Sequence, residues 1–389
     1  MRQLAATRAT WMTDFERWLQ AAGIRLNDLV VAAVDEGERG LVAGADAYIQ
    51  EDDVLALVPA HVAVHARAAF AFRLVLTPPC LAAVVAAIDA CDAQVALAVC
   101  LALETALALE RSPWEAWLRE LPRDGAPASP VFGRPWDAPA RPAGMAACVG
   151  EHDARMRALF HAHLDEPLGP LASAWRGELR DALAPARLWR FYALAVSRSF
   201  GLQPDGPGTA LLPTILPVVD MGNHRVAADA PPCCVVYKPS RKQFVLRAPF
   251  AALPGQQVFI TYGFKANDEL LALYGFAAAE NVFDRVAVDL ADGERVLLQW
   301  TAGVQARVDH AEGIDNGQVL EGTWDEPVFM TAAALDRAQE LLAACAEQLG
   351  HLGAGDDASD GAAGTHAATR RRLLAAARAQ LERLLADAA

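Results

Sequence analysis

The chain has no cysteines spaced to hold a metal. Its seven cysteines include no CxxC or CxC pattern, and the adjacent Cys233 and Cys234 are poorly placed to bridge each other. An odd, scattered set fits reduced, buried thiols in a cytosolic or nuclear protein. Long apolar runs are also missing. The longest one near a helix, residues 95 to 103, is far short of a bilayer span, and Asp89, Asp92, Gln94 and Glu104 flank it. No membrane partner is expected. The N-terminus lacks the hydrophobic region of a secretory signal. Its Arg2 and Arg8, with no acid nearby, leave a short organellar transit peptide open, including one for a plastid. Positive charge is the minority: 34 Lys and Arg stand against 48 Asp and Glu, for a net charge of −14. That balance argues against broad nucleic-acid or anionic-membrane binding and mildly favours basic partners.

At 389 residues and 41.5 kDa the chain is too long for one small core. The hydrophobic fraction is 54% and mean hydropathy is +0.17, enough to fill sizeable cores, and its alanine content leans helical. Thr13-Asp14-Phe15-Glu16 reads as a capping box opening a short helix that Gly23 ends. Short β-like runs follow at 29–34, 41–43 and 54–58, with a Gly37/Gly40 turn between the first two. From about residue 80 the pattern turns helical. It predicts helices over 93–110, 151–164 and 187–200, with a Pro/Ala/Gly-rich surface loop over 123–147. Strand signals resume at 211, a hairpin spans 233–247 with KPSRK as its turn, and QVFITYG (257–263) reads as a strand. Asn267 is placed as the cap of a helix that Gly275 closes. Strand-like VAVDL and ERVLLQW come next, then amphipathic helices at 331–349 and 368–387. The resulting order is a β-rich part with an N-terminal helix (1–79), a helical insertion (80–200), a second β-rich part (201–276) and an appended helical piece (277–389). Within that last piece, 350–367 has few bulky residues and reads as flexible.

Three segments carry polar chemistry: SRSFG (197–201), DMGNH (220–224) and FITYG (259–263). Singly, each has a plain structural explanation. Arg198 would be a solvated helix-end cap, Asn223-His224 a turn with a satisfied core histidine, and Tyr262 a strand-end aromatic. Yet LPVVDMGNH reads as a buried strand ending in two polar side chains, and buried polar groups need partners. Other candidates are weaker. HVAVH (61–65) places two histidines on one strand face without a third ligand nearby, so a structural role outweighs a metal pair. Lys238, Arg241, Lys242 and Arg247 form a basic hairpin that reads as a solvated turn, with substrate guidance as the sharper alternative.

In this order the three segments resemble the SET-domain methyltransferases, in the branch that includes the Rubisco large-subunit lysine methyltransferase and the actin-histidine methyltransferase. The similarity runs over about 10–345. It takes in GLVA, LALE with SPWEAWLRELP, SRSF, LPVVDMGNH, GQQVFITYGFKANDELLALYGF and the pair Asp284-Arg285. The resemblance implies an α+β fold: a β-rich, pseudoknotted SET domain interrupted by a helical insertion, with a C-terminal helical domain. It implies S-adenosylmethionine as cofactor and a protein substrate for a monomeric enzyme. Asn223, His224 and Asp220 would belong to the cofactor site, Glu36 and Gly37 would line it, and Arg198 would pair with the methionine carboxylate. Tyr274 and Phe276 would wall it. Tyr262 would be the catalytic residue and would also contact the cofactor. Family members often carry Gly-x-Gly where this chain has Gly37-Glu38-Arg39-Gly40, which puts that backbone contact in question. No cysteine-rich zinc segment follows the tyrosine motif, as fits this branch. The leading expectation is protein-lysine methylation. Protein-histidine methylation is the second enzyme reading, and an inactive SET-fold adaptor is the rival from another class.

Overall fold

The computed structural model describes residues 14–35, 38–121, 129–135, 137, 147–174, 178–204, 206, 208–226, 234–278, 281–289, 295–300 and 304–309, with helical stretches between 339 and 382. Contacts divide the chain into two compact units. The first comprises Met1–Ala140, Asp153–Arg225 and Ala230–Gly263, and the second Arg141–His152, Val226–Asp229 and Phe264–Ala389.

In the first unit, helix α1 (14–21) buries Phe15 and Leu19, and Gly23 stops it at φ +74°. Thr13, the expected cap, lies outside the described residues. The strands β1 (Arg25–Leu26), β2 (Leu29–Asp35), β3 (Glu38–Ala43) and β4 (Val54–Pro59) follow. β2 and β3 pair from Leu29↔Ala43 to Asp35↔Glu38, so Glu38, Arg39 and Gly40 are strand rather than turn. Gly40 is buried there, and a Cβ on it would come within 2.8 Å of the Val34 Cγ1 atom. Along β2 the side chains of Leu29 and Val31 are buried while Val30 is exposed, the two-residue period of a half-buried strand. After the helical stretch come β5 (Phe200–Leu202), β6 (Leu212–Thr214), β7 (Val235–Lys238), β8 (Gln243–Arg247) and β9 (Gln257–Val258). They form sheets ordered β1-β4-β8-β7, β2-β3-β9 and β5-β6. The expected KPSRK turn is a 3-10 turn at Pro239–Arg241 followed by Lys242 at φ 47°.

The helical stretch holds α2 (Phe72–Val75), α3 (Pro78–Ala90), α4 (Ala93–Leu107), α5 (Glu115–Glu120), α6 (Ala147–His163), α7 (Gly169–Ala174), α8 (Glu178–Ala182) and α9 (Pro185–Arg198). α3 and α9 open with proline, whose missing N–H is no loss in a first turn. Asp92 caps α4 by accepting from the Gln94 N–H at 2.9 Å. Every residue of α4 from Val95 to Glu104 is buried, so this helix is enclosed on all sides, and it packs against α9. α5 buries Trp117 and Leu118, flanked by buried Trp114 and Leu121, a face of helical period. The 123–147 stretch is not wholly a surface loop. Ser129, Val131 and Phe132 are buried, with the Phe132 ring 5.3 Å from Trp189 and 5.9 Å from Tyr192. Its proline and alanine content hid one aromatic anchor.

In the second unit, Asn267 is not a cap. It lies inside the short helix α10 (Asn267–Glu269), fully buried. Its Nδ2 donates to the Ala278 carbonyl at 2.9 Å and to Asp284 Oδ2 at 3.0 Å, and its Oδ1 accepts from the Ala278 N–H at 2.9 Å. A π-type turn, Leu270–Tyr274, continues the helix to Gly275 at φ 86°. A three-stranded antiparallel sheet follows: β10 (Arg285–Asp289), β11 (Arg295–Trp300) and β12 (Val304–Asp309). The stretch expected to be flexible, 350–367, falls almost wholly outside the described residues.

Candidate active site

LPVVDMGNH is not a strand. The bridge Val64↔Ile215 ends the extended run, and at Val218 the backbone turns over with φ +77° and ψ −48°. That is a costly conformation for a β-branched residue and is held only by its surroundings. A 3-10 turn, Val219–Met221, follows, and the Asp220 N–H donates to the Leu216 carbonyl at 3.0 Å. The reversal swings Asp220 inward and delivers Gly222, Asn223 and His224 beside the chain at Ile260.

The two segments run parallel there, bridged at His224↔Ile260. The Ile260 N–H donates to the Asn223 carbonyl at 2.8 Å, and the Arg225 N–H donates to the Ile260 carbonyl at 3.1 Å. The approach is close at Gly222, where a Cβ would sit 3.0 Å from three side-chain atoms of Ile260, so a larger residue would make that side chain give way. Past Ile260 the chain leaves ladder pairing, so the strand predicted over 257–263 is ordered instead by side chains. The Tyr262 N–H donates to His224 Nδ1 at 3.1 Å, and the Tyr262 hydroxyl donates to the Gly222 carbonyl at 3.0 Å. The two rings stack with centroids 4.9 Å apart and planes 18° apart. Accepting through Nδ1 puts the neutral imidazole's proton on Nε2.

Arg198 ends α9. Its Nη1 donates to the Asp220 carbonyl at 3.0 Å and to Asp220 Oδ2 at 3.2 Å. On the other side, the Trp117 indole N–H lies 3.3 Å from both carboxylate oxygens of Asp220. Burial pushes the Asp220 carboxyl above its ordinary value, opposed by the Arg198 charge and the donated hydrogen bonds.

Arg198, Asp220, Asn223, His224 and Tyr262 are therefore joined through one short segment, 220–224. Glu36 and Gly37 lie outside the described residues. Tyr274 and Phe276 belong to the second unit, where their rings are 6.3 Å apart and Lys265 Nζ lies 6.0 Å from the Tyr274 ring centre. Trp117 was missed: in the sequence it is one more apolar residue on a short amphipathic helix. Among the described residues no cluster of three potential metal ligands occurs. His61 is exposed on the 3-10 turn Ala60–Val62 while His65 is buried, so the two do not share a strand face.

No protein-family profile matches the chain. Solved structures do. The SET domain of LSMT bound to lysine and AdoHcy superposes with a TM-score of 0.62 at 14% identity, over 96% of this chain and 91% of that one. This chain has the SET-domain fold. Rubisco LSMT bound to sinefungin and monomethyllysine gives a TM-score of 0.60 at 14% identity, over 97% and 90% of the two chains. The parallel pairing of the DMGNH and ITYG segments thus lies within a mixed helix-and-sheet SET fold. By sequence, ribosomal lysine N-methyltransferase 1 of Saccharomyces cerevisiae (strain ATCC 204508 / S288c) is 32% identical over 107 residues, a stretch covering 27% of this chain and 17% of that protein. No helix among the described residues is long and apolar enough to cross a membrane.

Proposed function

We propose that this SET-fold chain is an S-adenosylmethionine-dependent protein-lysine N-methyltransferase. The observation that carries the reading is the Tyr262 hydroxyl on the Gly222 carbonyl, with His224 stacked on the same ring. Support for lysine as the target comes from the lysine ligands of the LSMT structures and from the lysine methyltransferase name of the yeast relative. AdoHcy and AdoMet in the LSMT structures support the cofactor.

The donor set fits that cofactor. Arg198 engages Asp220 through Nη1, so among the described residues its Nε and Nη2 remain available as a planar fork for a methionine carboxylate. When bound, S-adenosylmethionine supplies a methyl group on a positively charged sulfur. Asn223 and His224 would hold the cofactor beside Tyr262. Because the Tyr262 hydroxyl directs its proton to Gly222, its oxygen keeps lone pairs through which it could act as an acceptor. It can take an N–H of the incoming lysine amine and so aim the nitrogen lone pair at the methyl, an orientation effect. The amine must be neutral, and removing it from water on binding would lower its pKa to that end. Glu36 and Gly37 are assigned to the backbone lining of the cofactor site on the family resemblance.

The test is transfer of tritiated methyl from S-adenosylmethionine to proteins of a cell lysate, with mass spectrometry of the labelled bands. Methyl-lysine in a labelled protein supports the proposal. Label confined to histidine would replace lysine as the target. Absence of transfer, with no calorimetric binding of S-adenosylhomocysteine, would leave the fold as an adaptor.

A further inference from the structure

Trp117 lies 103 residues before Asp220, outside all three sequence motifs, yet its indole N–H is shared between both oxygens of that carboxylate at 3.3 Å. The Asp220 side chain is 0% exposed and that of Arg198 is 26% exposed. The guanidinium therefore bridges from an enclosed carboxylate toward solvent. Its Nη1 meets two oxygens of one residue, the carbonyl and Oδ2, which fixes the rotation of the fork. An unassisted Asp220 anion would cancel the Arg198 charge and leave little attraction for a second carboxylate. A donor from behind draws off part of that negative charge.

We propose that Trp117 and Asp220 are positioning residues that set the orientation and residual charge of Arg198 for the carboxylate of the methyl donor, without touching the donor themselves. The proposal rests on the methyltransferase reading above and assigns Asp220 a role behind the cofactor site. Trp117 acts through Asp220, and Asp220 through Arg198.

The test is calorimetric binding of S-adenosylhomocysteine to the full chain. It compares the wild type, Trp117→Phe, and a chain with 3-benzothienylalanine at position 117, which keeps the indole shape but has sulfur in place of the N–H. Loss of a hydrogen bond to a charged group is expected to raise Kd about tenfold in both variants. KM for S-adenosylmethionine should rise with it and kcat change little, because the Tyr262–Gly222 contact is untouched. A merely structural role would instead lower the melting temperature of the unliganded chain and the active fraction. In an Asp220→Asn background, removing the N–H should change Kd by less than about twofold, since the negative charge it draws on is gone, although the amide oxygen can still accept. Unchanged affinity in the benzothienyl variant overturns the proposal, as does the same tenfold loss persisting in the Asp220→Asn background. Failure of the wild type to bind S-adenosylhomocysteine would overturn the methyltransferase reading itself, a different result from either.

Discussion

Tyr262 and Asp220 carry opposite kinds of consequence at the scale of single residues. Removing the Tyr262 hydroxyl deletes the bond to the Gly222 carbonyl but keeps the ring stacked on His224. Tyr262→Phe is therefore expected to lower kcat by about 100-fold or more, the usual loss for one well-placed polar group. The Kd for S-adenosylhomocysteine should stay within about twofold. Stopped-time methylation assays alongside calorimetry check this, and wild-type turnover would remove Tyr262 from the chemistry. For Asp220, burial raises the folded-state pKa above its ordinary 3.8. Folded protein then keeps the proton in a range where unfolded chain has lost it. The stabilisation from this group is complete below the unfolded pKa and is lost as pH rises through the folded one. The amide of an Asp220→Asn variant cannot titrate. The melting temperature of the wild type relative to that variant should fall as pH rises from the ordinary aspartate range. A difference independent of pH would place the carboxyl at its ordinary value.

Elements are tied together by a few enclosed polar groups. Glu104 is buried in α4, and its carboxylate accepts from the Ala71 N–H at 3.1 Å and the Phe72 N–H at 2.9 Å, the opening amides of α2. A four-residue helix cannot satisfy its own first N–H groups, so a side chain from another helix does it. Glu104→Ala leaves two buried donors without a partner and is expected to cost about 2–4 kcal/mol, whereas Glu104→Gln retains an acceptor and should cost less. Urea denaturation of the three proteins measures the difference, and equal midpoints would show that water replaces the carboxylate.

At the scale of the whole molecule, the proposed cofactor residues all lie between 36 and 276, while described helical residues continue to 382. Leu374, within the amphipathic helix expected at 368–387, is fully buried, as is Cys345. Parts of the tail are thus packed, and on the family resemblance alone we propose that it helps to hold the protein substrate. Deletion of 350–389 is expected to leave S-adenosylhomocysteine affinity within about twofold. Methylation of a folded protein substrate should fall at least about tenfold, equivalent to about 1.4 kcal/mol of docking energy. Loss of cofactor binding in that truncation would instead make the tail part of the main fold, and full activity would make it dispensable.

The motifs and the order of strands, helices and strands were legible in the sequence, because each rests on local pattern. A long apolar run marked α4, a short β-like run marked β2, and SRSF, DMGNH and ITYG stood out as polar ends of apolar runs. Local pattern also misled. Val218 and Val219 have strand propensity, but the chain reverses at Val218. QVFITYG is rich in β-branched and aromatic residues, but only Gln257 and Val258 pair as a strand, since the close seat at Gly222 and the His224 side chain order the rest. Phe132 sat in a segment composed like a surface loop, and Trp117 looked like ordinary core. Their partners, Trp189 and Asp220, are 57 and 103 residues away. A short-range period carries no information about which distant side chain will supply a ring or a carboxylate. That choice belongs to tertiary packing, and here packing decided what faces Asp220 and therefore how Arg198 is held.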